Sequence, residues 1–111
     1  MISGDIVVVD FGIPMGSEPG FVRPAVVVTA DIILSRSPRT VHVVPLTTNL
    51  KRSLTSEVRV EIPELENKSA AQCHLSQTVS TARLSNEPLG NVGSVILAQI
   101  RSVLSEILDL D

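Results

Sequence analysis

Residues 4–28 read GDIVVVDFGIPMGSEPGFVRPAVVV, in which two valine-rich runs flank a loop rich in glycine and proline. The runs at 6–11 and 25–29 predict strands, because β-branched side chains favour extended backbone. The first run is almost continuously apolar, which indicates a strand buried on both faces. The glycines and prolines at 12–24 predict a loop, and a connection of that length is typical of functional loops in small domains.

Further short strands are predicted downstream. We expect them at 40–46, at 57–62, around 89–92 and, on a weaker pattern, at 70–79. A polar excursion at 30–38 separates the second strand from the third.

The last part of the chain predicts an amphipathic helix. Ser94 is a suitable N-cap residue for it. Beyond that position, apolar side chains recur at helical spacing, at Ile96, Ile100, Val103, Leu104 and Ile107. Several short strands followed by one helix favour a small, strongly bent sheet or a partly open barrel that the helix caps.

Length and composition fit a single domain over residues 1–111, with 43% apolar residues to form its core. The one cysteine, Cys73, excludes an internal disulfide, and we expect it to be buried. The start of the chain lacks the pattern of a signal peptide, and no apolar run approaches the ~20 residues of a membrane span. A cytoplasmic location is therefore expected.

Charge and aromatic content limit how the chain can bind nucleic acid. The net charge of −3 argues against a general nucleic-acid coat protein. Residues 1–60, however, carry six basic and five acidic side chains, whereas residues 61–111 carry three and seven. Cationic contacts to a polyanion are therefore expected from the first half. With only Phe11 and Phe21 as aromatic residues, base stacking would fall to Phe21, the histidines and the arginine planes.

The familiar signatures of phosphate-binding loops, serine hydrolases and metalloproteases do not occur in the sequence, and neither does a Cys/His cluster. We therefore expect no metal and no cofactor. His42 and His74 lie in strand-like contexts, where a position in the core or at a sheet edge is favoured over catalysis.

Two segments carry side chains suited to phosphate chemistry. Glu18 and Arg23 lie five residues apart in the long loop, either as solvated surface charges or as a functional carboxylate and guanidinium. Thr47 and Thr48 directly follow a predicted buried strand. Their hydroxyls can either satisfy local backbone groups or donate to a bound phosphate.

Several blocks resemble the run of signatures in the MazF/PemK toxins, in the same order and at similar spacings. They are 4–11, Gly16-Ser17-Glu18, 23–28 and 44–48. Weaker similarity extends over Ser76-Gln77-Thr78, Arg83-Leu84 and 90–92 with the final helix. The resemblance therefore covers essentially the whole chain.

The resemblance implies a mainly β fold with α, namely an SH3-like (CcdB/PemK-type) small barrel of five to seven strands closed by a C-terminal helix. It also implies a homodimeric toxin of a type II toxin–antitoxin system. Such a toxin cuts single-stranded RNA at short sequences without a metal or cofactor. Position by position, Arg23 falls on the family's catalytic arginine, Thr47 on its catalytic threonine, and Glu18 on the acidic residue of its Gly-Ser-Glu loop.

Phosphate chemistry is compatible with these three assignments. RNA can be cleaved when its own 2′-hydroxyl attacks the adjacent phosphorus, so an enzyme must orient the groups and stabilise the phosphoryl charge. Arg23 and Thr47 can donate hydrogen bonds to phosphoryl oxygens. Glu18 can take the 2′-hydroxyl proton if the site partly buries it. Free guanidinium holds its proton tightly, so the general acid stays unassigned.

We expect the RNA groove where the loop meets Thr47 and the cations that follow it. The predicted RNA-binding residues are Ser17, Phe21, Thr48, Asn49, Lys51, Arg52 and Gln77. A cognate antitoxin would occupy the same groove with an acidic, disordered tail that folds on binding. The C-terminal helix and the segment around Gln77 are expected to contribute to dimer contacts.

A different class of protein is the main alternative: a non-enzymatic toxin of the same barrel architecture that inhibits DNA gyrase, as CcdB-type toxins do. Those toxins carry their active contacts at the end of the C-terminal helix, often with a terminal aromatic residue. This chain has Leu108-Asp109-Leu110-Asp111 at that place. An inactive toxin-like protein is a third alternative, which the presence of Glu18, Arg23 and Thr47 disfavours.

Overall fold

The structure is a computed structural model that describes residues 1–50 and 56–110. Its strands are β1 (Asp5–Asp10), β2 (Val22–Val27), β3 (Thr40–Thr47), β4 (Glu57–Val60), β5 (Ser69–Gln72), β6 (Gln77–Ser80) and β7 (Gly90–Asn91). The helices are α1 (Asp31–Leu34) and α2 (Gly93–Ile107), with two 3-10 turns at Cys73–Leu75 and Thr81–Arg83. The expected mainly β architecture closed by a C-terminal helix is confirmed.

The strands form one antiparallel sheet that bends at β3. Their order is β4-β5-β3-β2-β1-β7, and β6 also pairs with β3. The first part of β3 pairs with β6, whereas its last residues, Leu46 and Thr47, pair with Ala71 and Ala70 of β5. The bend therefore divides the sheet into two parts that share β3.

Apolar side chains cover both faces of the central strands, as predicted for β1. Ile6 and Val7 are neighbours in β1, and they belong to different core clusters on opposite faces. The larger cluster includes Ile100 and Leu104 of α2, so the helix is held by its apolar stripe. No helix within residues 1–50 and 56–110 is long and apolar enough to cross a membrane.

Several predicted details differ from the structure. Strand β2 begins at Val22 instead of 25, so Arg23 and Pro24 lie in the strand and pair with Val9 and Val8 of β1. Pro24 has no N–H to donate to a neighbouring strand, but β3 needs none there because the paired residues of β2 and β3 begin only at Ala25. The strand predicted at 57–62 ends at Val60. The excursion at 30–38 contains the one-turn helix α1, which buries Leu34 in the smaller core cluster.

The prediction of Ser94 as N-cap was also wrong. Helix α2 begins at Gly93, so Ser94 lies within its first turn. The side chain of Asn91 takes over part of the capping, because its Oδ1 accepts a hydrogen bond of 2.8 Å from the Gly93 N–H. The periodicity of the apolar residues identified the helix but not the residue that begins it.

The weak strand predicted at 70–79 is interrupted, and the interruption matters for function. Leu46 pairs with Ala71, and Val43 pairs with Gln77. Between these pairs β3 advances three residues while the opposite chain advances six. The extra residues bulge out as the 3-10 turn Cys73–Leu75. A bulge of this kind redirects side chains that a continuous strand would place in regular alternation.

Candidate functional site

The long loop between β1 and β2 is held at its base. The Phe11 N–H donates to the Phe21 carbonyl at 2.8 Å, and the Phe21 N–H donates to the Gly12 carbonyl at 2.6 Å. The Gly12 N–H in turn donates to Asp10 Oδ1 at 2.9 Å. These hydrogen bonds extend the β1–β2 hairpin into the base of the loop and hold its two ends together.

The interior of the loop is packed and its tip is exposed. Pro19 and Gly20 are buried, whereas Ser17 and Glu18 are exposed. The Glu18 N–H donates to the Met15 carbonyl at 3.1 Å, which closes a turn around Gly16. Gly16 has a φ of +59°, a conformation that glycine adopts without strain. The Glu18 carboxylate is thereby presented at a defined turn.

A cleft lies between this loop and the 3-10 turn that interrupts β5 and β6. One cavity of about 510 Å³ is lined by Ser17, Glu18, Pro19, Arg23, Gln72, His74 and Leu75. A second cavity of about 350 Å³ is lined by Ser17, Glu18, Pro19, Leu75, Ser76 and Gln77. The two cavities share the loop tip and Leu75, so we call them together the loop cleft.

Arg23 and Glu18, the two candidate residues of the long loop, both line the loop cleft. Arg23 is half-buried on β2, opposite Val9. Neither its guanidinium nor the Glu18 carboxylate forms a hydrogen bond or an ion pair with another residue of 1–50 or 56–110. The donors of Arg23 and the oxygens of Glu18 are therefore not committed to holding this part of the fold together.

Thr47 lies at the end of β3 and outside the walls of both cavities. The last paired residues of β2 and β3 are Ala25 and Pro45, so Arg23 and Thr47 each lie two residues beyond that pair, at the same end of the two strands. The Thr47 Oγ1 accepts a hydrogen bond of 3.1 Å from the Asn49 N–H. Thr47 therefore satisfies a backbone group of the local turn. Its hydroxyl only accepts in this bond, so its hydrogen is still available to donate.

The predicted RNA-binding residues differ in position. Ser17 lines both cavities, and Gln77 lines the second one. Phe21 is 67% exposed at the base of the loop. Thr48 and Asn49 are exposed just beyond β3, away from the cavity walls. Lys51 and Arg52 lie outside the described residues.

Sequence reasoning missed Gln72 and set His74 aside as a core or edge residue, yet both line the larger cavity. His74 is exposed, and its Nδ1 lies 3.0 Å from Ser56 Oγ. The Gln72 Oε1 is buried without a hydrogen-bond partner among the described residues. The only sequence signal was the weak strand pattern around them, which did not reveal the 3-10 turn.

The other histidine and the cysteine have structural positions, as predicted. His42 Nδ1 lies 3.2 Å from Thr78 Oγ1 across β3 and β6, and partial burial lowers the pKa of its imidazole. Cys73 is fully buried. Burial, assisted by the negative charge of Glu57, raises the pKa of its thiol to about 11, so the thiol stays protonated at neutral pH. No group of three or more His, Cys, Asp and Glu side chains within the described ranges is arranged to hold a metal ion.

Solved structures with the same fold include a MazF protein and an endoribonuclease. The chain matches MazF from Deinococcus radiodurans with a TM-score of 0.84 at 21% identity, covering 99% of this chain and 97% of that one. It matches a mycobacterial endoribonuclease in complex with its cognate antitoxin with a TM-score of 0.79 at 20% identity, covering 100% and 97%. At these identities the likeness defines the fold.

Sequence comparison defines the family. Residues 2–108 match the model of the PemK-like, MazF-like toxins of type II toxin–antitoxin systems, and the chain therefore belongs to that family. It is also 33% identical to Endoribonuclease MazF9 of Mycobacterium tuberculosis, with 99% of this chain and 98% of that protein covered. The resemblance drawn from the ordered blocks of sequence is confirmed.

Proposed function

We propose that this chain is an endoribonuclease that cleaves single-stranded RNA at selected sequences, through attack by the RNA's own 2′-hydroxyl and without a metal ion or cofactor. The main support for the proposal is the loop cleft, where Glu18 and Arg23 line one cavity. The side chains of these two residues form no hydrogen bond or ion pair with other residues of 1–50 or 56–110. The 33% identity to a protein named as an endoribonuclease supports the same activity.

Arg23 stabilises the charge that develops on the phosphoryl oxygens. Its planar guanidinium offers paired donors that match a phosphate and keeps its charge at every physiological pH. Its half-buried position on β2 limits the movement of the side chain. A fixed donor in a partly water-excluded cleft stabilises the transition state more than a mobile surface arginine would.

Glu18 takes the proton of the attacking 2′-hydroxyl. In the single chain Glu18 is exposed, so the partial burial expected from the sequence is not present without RNA. An RNA strand lying in the loop cleft would cover the loop tip and exclude water from the carboxylate. Proton transfer requires that the carboxylate oxygen come within hydrogen-bond reach of the hydroxyl.

Thr47 donates its hydroxyl hydrogen to a phosphoryl oxygen of the same phosphate. Thr47 and Arg23 lie just beyond the last pair of β3 and β2, at the same end of the two strands, which suits two donors that act on one group. Its bond from the Asn49 N–H orients the hydroxyl oxygen. The strand end thus provides an oriented donor at low entropic cost.

The rest of the RNA contacts set affinity and sequence choice. Phe21 offers an aromatic face on which a base can stack. Ser17, Thr48, Asn49 and Gln77 offer hydrogen bonds to bases and sugars, and Lys51 and Arg52 offer positive charge. Because the contacts to phosphate release counterions, binding should weaken as salt concentration rises.

The toxin acts as a homodimer in the cytoplasm and is neutralised by a cognate antitoxin. A related mycobacterial endoribonuclease and MazF of Deinococcus radiodurans have each been solved with an antitoxin partner. An acidic, disordered tail would compete with RNA for the uncommitted donors of Arg23. The apolar surface of α2 and the segment around Gln77 are the proposed dimer contacts.

The test uses purified protein, a long single-stranded RNA with many sequence contexts, and EDTA. We expect discrete cuts from the wild type and a loss of roughly 10²–10³-fold in Arg23→Ala, the effect of removing one transition-state donor. Thr47→Ala should lose activity that Thr47→Ser recovers. Arg36→Ala is the matched control, because Arg36 is an exposed cation that lines neither cavity.

Failure to cut by a folded wild type would contradict the proposal, as would cutting that survives Arg23→Ala. Inhibition of DNA gyrase supercoiling would then test the alternative function, and its observation would assign the chain to the gyrase-inhibiting class. Mapping both ends of every fragment gives the recognition sequence in the same experiment.

A further inference from the structure

We propose that His74 is the general acid of this site and protonates the 5′-oxygen that leaves the phosphorus. The inference rests on the endoribonuclease function proposed above. It assigns the proton donor that neither Arg23 nor Thr47 readily supplies, because guanidinium and hydroxyl groups both hold their protons tightly near neutral pH.

The bulge in the sheet brings His74 to the loop cleft. The three extra residues between β5 and β6 form the 3-10 turn Cys73–Leu75, with Cys73 buried and His74 exposed. His74 then lines the same cavity as Glu18 and Arg23. A continuous strand from 70 to 79 would have no such turn facing the loop.

Ser56 holds the histidine in place. The Cys73 N–H donates to the Ser56 carbonyl at 3.1 Å, which fixes the beginning of the turn. The His74 Nδ1 lies 3.0 Å from Ser56 Oγ. In the imidazolium form the Nδ1–H donates to that oxygen, and the Nε2–H remains to be transferred to another group. A second group that orients the ring is the usual arrangement for a catalytic histidine.

Few side chains in the loop cleft can donate a proton at neutral pH. The residues that line its two cavities include three with ionisable side chains: Glu18, Arg23 and His74. With Glu18 as the base and Arg23 permanently charged, His74 is the remaining group. Histidine is also the side chain whose ordinary pKa lies closest to neutrality, which favours proton transfer in both directions.

The proposed step balances in atoms and charge. The 2′-oxygen forms a bond to phosphorus as its proton passes to the Glu18 carboxylate. The bond from phosphorus to the 5′-oxygen breaks, and that oxygen takes the proton from His74 Nε2. The products are a 2′,3′-cyclic phosphate and a 5′-hydroxyl. Glu18 then returns its proton to solvent, and His74 regains one.

The test compares two RNA oligonucleotides that carry one cleavage site. In the first the leaving atom is the ordinary 5′-oxygen; in the second it is sulfur. Thiols have pKa values of about 8.5, far below those of alcohols, so a thiolate leaves without a general acid. His74→Gln should cut the ordinary linkage about 10²–10⁴-fold more slowly, the usual contribution of general acid–base catalysis. It should cut the sulfur linkage at close to the wild-type rate.

Arg23→Ala is the matched comparison, because it should slow both linkages. Ser56→Ala, which removes only the orienting hydroxyl, should slow the ordinary linkage by a smaller factor and leave the sulfur linkage unchanged. This pattern separates a proton donor from a residue that only supports the fold.

Two results would overturn the assignment while leaving the proposed function intact: His74→Gln cutting the ordinary linkage at the wild-type rate, or losing both linkages equally. A wild type that cuts neither linkage would refute the endoribonuclease function itself, and this inference with it.

Discussion

Gly20 lies against the ring of Pro14 so closely that a Cβ atom added to it would come within 2.4 Å of the proline side chain. Both residues belong to the loop that carries Ser17 and Glu18, and Gly20 is buried within it. The proline ring is rigid and cannot move aside without moving the backbone. This contact therefore fixes the path of the loop and the place of its exposed carboxylate.

Gly20→Ala should displace the loop and lower both stability and activity. Overpacking of this kind lowers the free energy of unfolding by about 1–3 kcal/mol. A small displacement of a catalytic group can slow the reaction by roughly 10²-fold. The measurements are denaturant unfolding and the rate of RNA cleavage. Gly16→Asn is the control, because that site has open space and a φ of +59° that asparagine tolerates. Wild-type rates in Gly20→Ala would contradict a positioning role for the loop.

Phe21 should contribute to RNA binding, although its backbone conformation is strained. It has a φ of +59°, which is unfavourable for a bulky residue, and its ring is 67% exposed. Phe21→Gly should remove the strain while weakening RNA binding by the stacking contribution of about 1–3 kcal/mol per base. Binding of RNA to a slow variant such as Arg23→Ala measures this, with Phe21→Tyr as the variant that keeps the aromatic face. Equal affinity of the Phe21→Gly and Phe21→Tyr proteins would exclude stacking.

Gln72 should be more important for RNA than for the fold. Its buried Oε1 has no partner among the described residues, and an unpaired buried polar group costs about 1–3 kcal/mol. Gln72→Met removes that group at similar volume, so the free energy of unfolding should stay level or rise. RNA cleavage should fall, because the amide lines the cavity with Arg23 and His74. A large loss of stability in Gln72→Met would show instead that the amide supports the fold.

Cys73 should be unreactive in the folded protein and should make stability depend on alkaline pH. Its buried thiol has a pKa raised from 9.0 to about 11, so the folded chain retains a proton that the unfolded chain loses. The stabilisation is therefore complete below pH 9 and is lost as pH rises from about 9 to 11. Unfolding curves from pH 8 to 11 measure this, with Cys73→Ala as the variant that lacks the thiol. Rapid modification of the native thiol at pH 8 would contradict its burial.

Local sequence patterns predicted most of the fold. A continuous apolar run identified β1 because both faces of that strand are buried, and helical periodicity identified α2 because Ile100 and Leu104 pack into the core. The 3-10 turn at Cys73–Leu75 was missed, because it depends on how β5 and β6 align against β3, which is a long-range property. The start of β2 was missed because proline next to arginine is typical of a loop.

The candidate site was predictable only where its residues lie in distinctive blocks. Glu18 and Arg23 stood out as a charged pair in a loop of glycines and prolines, and the structure brings both to one cleft. Gln72 and His74 belong to a segment with no distinctive pattern. Their position follows from the bulge, so no reading of local sequence could have selected them.

In the proposed mechanism the RNA's own 2′-hydroxyl is the nucleophile, and it is activated at the loop cleft. The most direct test replaces the nucleotide before the mapped cleavage site with its 2′-deoxy form, in an otherwise identical RNA and in EDTA. We expect that cutting at that site stops, and that unmodified RNA yields fragments ending in a 2′,3′-cyclic phosphate and a 5′-hydroxyl. Cleavage of the deoxy-substituted site, or products that carry a 5′-phosphate, would contradict it.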